Sequence, residues 1–266
     1  MKPPPPHVLR AFAVQSSPAP LAGGQGTSWR AGTIVFKPVD DPLRGEGLAA
    51  LVLGLDEDGF RIARPVAASD GRFVVSGWSA WHWVEGCHAE DRWPEVVDLS
   101  QRLERVLAGH PRPAFLNRLD DPWVRAGGVA FGQASVAPYS HRPDVAALLS
   151  FLRPLTATDH QLIHHDLAGN VIFNDPGPPT VIDFTPGWRP VGYQTAVVVA
   201  DAFLWHDADA ALADQAAALV DDFDQFFVQA LLFRLVVDAI FRPDDPGHAY
   251  LPVVERATRW LASRRA

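Results

Sequence analysis

The chain has 266 residues, 48% of them hydrophobic, enough apolar material for one large core or two lobes and too much for intrinsic disorder. Its formal net charge of −8 makes a nucleic-acid backbone an unfavourable partner. The single cysteine, Cys87, excludes an internal disulfide framework, and neither a signal-like start nor an apolar run of about 18 residues is found. The expectation is a soluble, cytoplasmic protein with no membrane partner.

In chain order, residues 1–7 read as a flexible polyproline-type tail, and residues 8–14 as a short helix or strand. Residues 21–37 predict two short strands around a glycine turn: Thr33-Ile34-Val35-Phe36 is β-branched and aromatic, and the preceding glycines permit positive φ. Asp41-Pro42 supplies an N-cap and a proline at the first helical position, and the apolar run over 48–55 continues that helix. Around Asp70-Gly71, residues 62–66 and 72–75 read as the two strands of one hairpin. A further strand ends at Gly86, with Trp78, Trp81 and Trp83 marking its core face. Beyond it, helical periodicity runs over 95–107, 143–152, 196–205, 208–241 with breaks, and 253–263. The fold class expected is α+β and bilobal: a small β-rich lobe over 1–86 with one main helix, then a larger, mostly helical lobe over 87–266, hinged near Gly86.

One segment interrupts the helical pattern. His164-His165-Asp166-Leu167-Ala168-Gly169-Asn170 leads into the apolar run 171–173, and after the turn Asn174-Asp175-Pro176-Gly177 a second run, 180–182, ends at Asp183. Two such runs predict a hairpin, whose outer ends bring Asp166, Asn170 and Asp183 together. Oxygen donors of this kind suit a hard divalent cation beside a phosphate. Basic residues add a second signal, since twenty-one arginines stand against two lysines. Lys2 lies in the proline run; Lys37 closes the glycine-containing stretch that begins at Gly23. A compact ammonium there is chemically distinct from a guanidinium fork.

These motifs resemble the aminoglycoside phosphotransferase and choline kinase group, within the protein-kinase-like fold, over residues 21 to 205. The resemblance implies an ATP-dependent phosphotransferase that uses Mg2+ and acts on a hydroxyl of a small molecule, amino sugars, aminoglycosides and amino alcohols included. It places Asp166 as the catalytic carboxylate, Asn170 and Asp183 as metal ligands, and His164 and Asp201 as braces of the catalytic loop. Lys37 falls where a lysine contacts the α- and β-phosphates, with Glu46 as its carboxylate partner. Nucleotide contacts are expected from Gly23, Gly24, Gly26, Thr27 and Ser28, and from the backbone of Trp83, Val84 and Gly86.

Three departures accompany the match. Three residues, not four, separate Asp166 from Asn170; His165 stands where glycine or arginine is usual; and Phe184 is followed by Thr185, not glycine. Arg189 reads equally as a phosphate-stabilising or a structural arginine. A degenerate kinase-like protein that binds nucleotide without transferring phosphate is the alternative function. A metal-dependent phosphohydrolase built on His160, His164, His165, Asp166 and Asp201 is a lesser rival. Ten aspartates and two arginines between Asp201 and Asp245 give that segment a charge of −8. They read either as solvated helix faces or as an acidic wall for an amine-bearing substrate.

Overall fold

The computed structural model describes residues 2–22, 26–88, 91–155 and 159–265. The elements follow in chain order as α1 (Pro6–Ala11), β1 (Ala19–Pro20), β2 (Trp29–Ala31), β3 (Ile34–Pro38), α2 (Pro42–Leu53), β4 (Arg61–Ile62), β5 (Pro65–Val66), β6 (Val74–Val75), β7 (Trp78–His82) and β8 (Cys87–His88). Next come α3 (Trp93–Leu107), α4 (Pro122–Ala130), α5 (Pro143–Leu149), β9 (His160–His164), β10 (Val171–Phe173), β11 (Thr180–Val181) and β12 (Pro186–Pro190). The chain closes with α6 (Tyr193–Trp205), α7 (Ala210–Ala217), α8 (Phe223–Phe241) and α9 (Leu251–Ser263). They divide into two compact units, Met1–His88 with Asn170–Phe184, and Ala89–Gly169 with Thr185–Ala266.

Unit 1 is built on a sheet of order β1-β2-β3-β7-β5, with β6 also paired to β7. Phe36, Trp78, Ala80, Val8 and Phe12 form its core, Phe12 meeting Phe36 edge-on at 5.7 Å. Because side chains alternate along a strand, burying Phe36 turns its neighbour Lys37 to the opposite face of β3. Helix α2 starts where its sequence places it: the Asp41 carboxylate accepts the amides of Leu43 and Arg44, and Pro42 follows it.

Three sequence readings change here. The runs 62–66 and 72–75 do not form a hairpin with each other; β5 and β6 each pair with β7, while β4 lies parallel to β11. The three tryptophans do not share a face, since Trp78 and Trp81 are three residues apart on a period-two strand: Trp78 enters the core and Trp81 lies opposite, its Nε1 donating to Ser79 Oγ at 3.1 Å. Finally, the β10–β11 hairpin groups with unit 1, not with the helices around it in sequence, because β10 pairs with β8 and β11 with β4.

Unit 2 packs helices around the antiparallel pair β9–β12, in which His164 faces Pro186. Helix α6 and the first three-quarters of α8 are apolar and buried on nearly every side, so they form the interior against which the other helices lie.

Candidate functional site

In unit 1, β3 presents Lys37 to the residue that follows β11: Lys37 Nζ lies 2.7 Å from Asp183 Oδ1. The side chains are 25% and 56% exposed, so water reaches the pair. Asn170 joins them through the hairpin register, because Val171 faces Val181 and the Ile182 amide donates to the Asn170 carbonyl at 2.9 Å. Asn170 and Asp183 therefore stand at the same, open end of the hairpin. Asp183 holds φ at +48°, a left-handed conformation rare outside glycine, and strain of this kind collects at functional positions. An Asn carbonyl and an Asp carboxylate are hard oxygen donors, and magnesium is commonly held by one or two such groups together with substrate phosphates.

Of the glycine-containing stretch, Gly23 and Gly24 lie outside the described residues. Gly26 adopts φ +66°, and the Ser28 carbonyl accepts the Leu21 amide at 3.0 Å, which closes the loop around Thr27 between β1 and β2. Glu46 is not the partner of Lys37. Its carboxylate accepts the amides of Phe73 and Val74 at 2.8–3.1 Å and so fastens α2 to the start of β6. The Trp83 amide donates to the Thr33 carbonyl at 2.8 Å, so sheet pairing already uses that donor. Beyond Val84, Gly86 sits at φ +137°, where an added Cβ would come within 2.3 Å of the Phe173 carbonyl oxygen. Only glycine fits there.

Unit 2 carries the remaining predicted residues. Strand β9 ends at His164, which is fully buried; its amide donates to Gln194 Oε1 at 2.6 Å and its Nδ1 accepts the Asp166 amide at 3.1 Å. Leu167 and Ala168 are buried directly after it, anchoring the loop from its other side. The Asp166 carboxylate meets a residue that sequence reasoning missed. Arg234, on α8, donates through Nη2 to Asp166 Oδ1 at 2.7 Å and through Nε and Nη2 to both oxygens of Asp201 at 2.7 and 2.6 Å. Asp201 therefore reaches the loop through a guanidinium bridge. A signal for it existed: a lone arginine within the apolar stretch of α8 demands a buried carboxylate partner.

Burial raises the Asp201 carboxyl to about 6, with the Arg234 charge opposing the rise, so the pair is ionic at neutral pH. Burial also works against charge on Arg234, but Asp201 and Asp166 outweigh it and hold the guanidinium protonated. His165 now has a physical account. Its ring stacks on Phe233 at 4.6 Å, and burial, reinforced by the charges of Arg189 and Arg234, keeps it neutral. Arg189 lies over the Phe131 ring at 4.7 Å and against Gly127, where a Cβ would fall 2.5 Å from the guanidinium. Both are packing contacts.

Many acids of the 201–245 segment are neither a bare wall nor merely solvated. Asp207 pairs with Arg256, Asp224 with Arg153, Asp238 with Arg142 and Arg242, and Asp245 with Arg242, while Asp209 caps α7 and Asp214 accepts from Trp260 Nε1.

Neither a protein-family model nor a curated protein matches the chain. Solved structures do. An aminoglycoside phosphotransferase from Alicyclobacillus acidocaldarius superposes with a TM-score of 0.62 at 16% identity, covering 100% of this chain and 96% of its own. The chain has the aminoglycoside phosphotransferase fold. A thermostable aminoglycoside phosphotransferase mutant in ternary complex with ADP and hygromycin B gives a TM-score of 0.59 at 12% identity, with 98% of each chain covered. The AMP-bound spectinomycin phosphotransferase gives 0.57 at 13% identity, over 97% of this chain and 92% of that one. This phosphotransferase fold, protein-kinase-like and α+β, extends over the whole chain despite identities that leave few side chains in common.

Proposed function

We propose that the protein is an ATP-dependent small-molecule kinase that moves the γ-phosphoryl group to a hydroxyl acceptor. The observation that carries this reading is the 2.7 Å pair between Lys37, the one lysine outside the N-terminal proline run, and Asp183, at the hairpin end that also presents Asn170. Neighbours of the same fold were solved with ADP, AMP or GDP, and three with hygromycin B, which supports nucleotide use and a small acceptor.

In this reading Lys37 turns from Asp183 to the nucleotide phosphates as a point charge, and the amides around Gly26, Thr27 and Ser28 add donors to them. Asn170 and Asp183 would hold magnesium, which when bound neutralises charge on the phosphates. Asp166 orients the acceptor hydroxyl and takes its proton as the new phosphorus–oxygen bond forms and the bond from the γ-phosphorus to the bridging oxygen breaks, releasing ADP. His164 fixes the Asp166 backbone and Arg234 fixes its carboxylate, so the group is aimed before substrate arrives.

The three-residue spacing between Asp166 and Asn170 favours a second reading, nucleotide binding without transfer. One pair of measurements separates the two. Under the first reading, wild-type protein with ATP and magnesium releases ADP in an acceptor-dependent manner, and Asp166→Ala loses at least about a thousandfold in kcat with nucleotide affinity unchanged. Full activity in Asp166→Ala defeats the catalytic assignment. Tight nucleotide binding with no turnover over a broad acceptor panel gives the second reading.

A further inference from the structure

Arginines that enter the interior of unit 2 bring carboxylates with them. Arg142, 1% exposed, is bonded to Asp144 and Asp238, and Arg234, 8% exposed, to Asp166 and Asp201. Arg189 breaks this rule. Its side chain is mostly buried between Phe131 and Gly127, yet it has no ion pair among the described residues. Nη1 donates to the Trp188 carbonyl at 3.1 Å, and Nε is buried with no partner. Burial pushes this guanidinium below its ordinary pKa; the Tyr193 phenol opposes the fall, and Arg112, a like charge, adds to it. Packing on Phe131 sets the plane of the group and offsets only part of the cost of its charge.

Other unused donors stand around the same phenyl ring. Tyr193 is fully buried and meets Phe131 edge-on at 4.8 Å, and its Oη has no partner. His165 lies 5.9 Å from Tyr193 between ring centroids, and its Nε2 is likewise buried and unpartnered. Strand parity puts His165 on the side of Arg189: Gly187 and Arg189 share one face of β12, and a Cβ at Gly187 would fall 3.4 Å from that of His165. Of the charges acting on Tyr193 and on His165, that of Arg189 is the largest in both cases. Arg189, Phe131 and His165 each keep part of their surface in water, so the cluster borders solvent.

With Nη1 engaged, the edge left to Arg189 is that of Nε and Nη2, the side-on fork that receives both oxygens of a carboxylate. Nη2 lies 2.5 Å from where a Cβ of residue 127 would sit, so only glycine there admits it. A carboxylate accepts about four hydrogen bonds, which suits the fork, a phenol and a neutral imidazole with its proton on Nε2. A monoanion also costs less to withdraw from water than a phosphate dianion. The local charge agrees in sign. Asp166 and Asp201 share Arg234 and leave one negative charge over, against which Arg189 and Arg112 set two positive ones, neither paired among the described residues. We infer that Arg189, Tyr193 and His165 form a carboxylate site, and that the acceptor it serves is a hydroxy acid. His165 adjoins Asp166, which sets the site beside the group that orients the hydroxyl. The acceptor role rests on the kinase reading above; carboxylate binding does not. Arg189 touches the acceptor's carboxylate and no reacting atom, so its effect belongs in KM.

The test uses the full chain with ATP and magnesium and matched acceptors: D-glycerate against glycerol, and D-glucuronate against D-glucose. Each pair differs only in a hydroxymethyl group replaced by a carboxylate. The better acid should exceed its neutral counterpart by about tenfold or more in kcat/KM. Arg189→Met keeps the contact with Phe131 and strands no carboxylate; it should raise the KM for the acid about tenfold, leave the KM for ATP unchanged and erase the preference. Tyr193→Phe deletes only the hydroxyl and should raise the same KM about threefold. A preference for the neutral partner, or an acid KM indifferent to both variants, overturns the inference while leaving the kinase reading intact. If Arg189→Met does not fold, Tyr193→Phe decides by the same criterion. If wild-type protein transfers phosphate to none of the four, isothermal titration with D-glucuronate and D-glycerate, without nucleotide, decides. Binding that Arg189→Met abolishes upholds the site independently of the kinase reading, and no binding of either acid, or tighter binding of inorganic phosphate, ends it.

Discussion

Two ionic contacts carry the candidate chemistry, and they differ in nearly everything but charge. In unit 1, Lys37 and Asp183 form a single water-accessible pair on a strand and a hairpin end. In unit 2, Arg234 lies 8% exposed between two aspartates and is bonded to both. Exposed pairs contribute about 0–1 kcal/mol and separate readily, whereas a buried pair that loses one partner strands an uncompensated charge. The contrast fits two jobs. In the proposed function the first pair is exchanged, its lysine for phosphate and its aspartate for a cation; the second holds a carboxylate still.

The largest expected effect lies in the buried set. Arg234→Met should lower stability by about 3–5 kcal/mol, because Asp201 loses the cation that keeps it ionised in the interior; urea denaturation measures this, and adding Asp201→Asn should return part of the loss. A loss under about 1 kcal/mol would erase the distinction between the two contacts.

Glu104 sharpens the comparison, being a buried carboxylate for which no cation partner is found among the described residues. Its oxygens accept the Gly192 amide at 3.0 and 3.2 Å, and burial pushes its carboxyl up to about 7 despite those amide bonds. The folded state thus favours the protonated acid. Its stabilising contribution is fully present below the unfolded value near 4.5 and is lost as pH rises through about 7, a change of about 3 kcal/mol. Glu104→Gln keeps an acceptor for Gly192 without the charge. Its stability relative to wild type should rise by about that amount between pH 4 and pH 8, as followed by thermal unfolding across the range; parallel curves would contradict the assignment. The smallest effect belongs to Lys37→Met, which should change stability by less than about 1 kcal/mol while abolishing nucleotide-dependent turnover. ADP release with ATP and magnesium reads the functional half.

Much of this was legible in the residues. Asp41-Pro42 marks the start of α2, the apolar runs on either side of the 174–177 turn mark the β10–β11 hairpin, and the scarcity of lysine singles out Lys37. What escaped depends on partners far away in sequence. Nothing local says that β5 and β6 would each choose β7, or that Glu46 would be drawn to the Phe73 and Val74 amides before it could serve Lys37. The Arg234 bridge spans 68 residues from Asp166, and only the three-dimensional packing of α8 on α6 closes it. The acidic excess after Asp201 was visible as a sum, but its pairing with arginines elsewhere in the chain was not.

The Gly86 crossing sets a limit on how this chain can vary. Backbone from the hairpin fills the space where any methyl group would go, so a saturation library should return a single residue at this position. At Gly26 and Gly71 an added Cβ would meet no atom of the described residues within 4 Å beyond its chain neighbours, and the restraint there is the sign of φ, which asparagine and aspartate tolerate. Substitution can therefore proceed at those turns, while the joint between β7 and β8 stays closed to change.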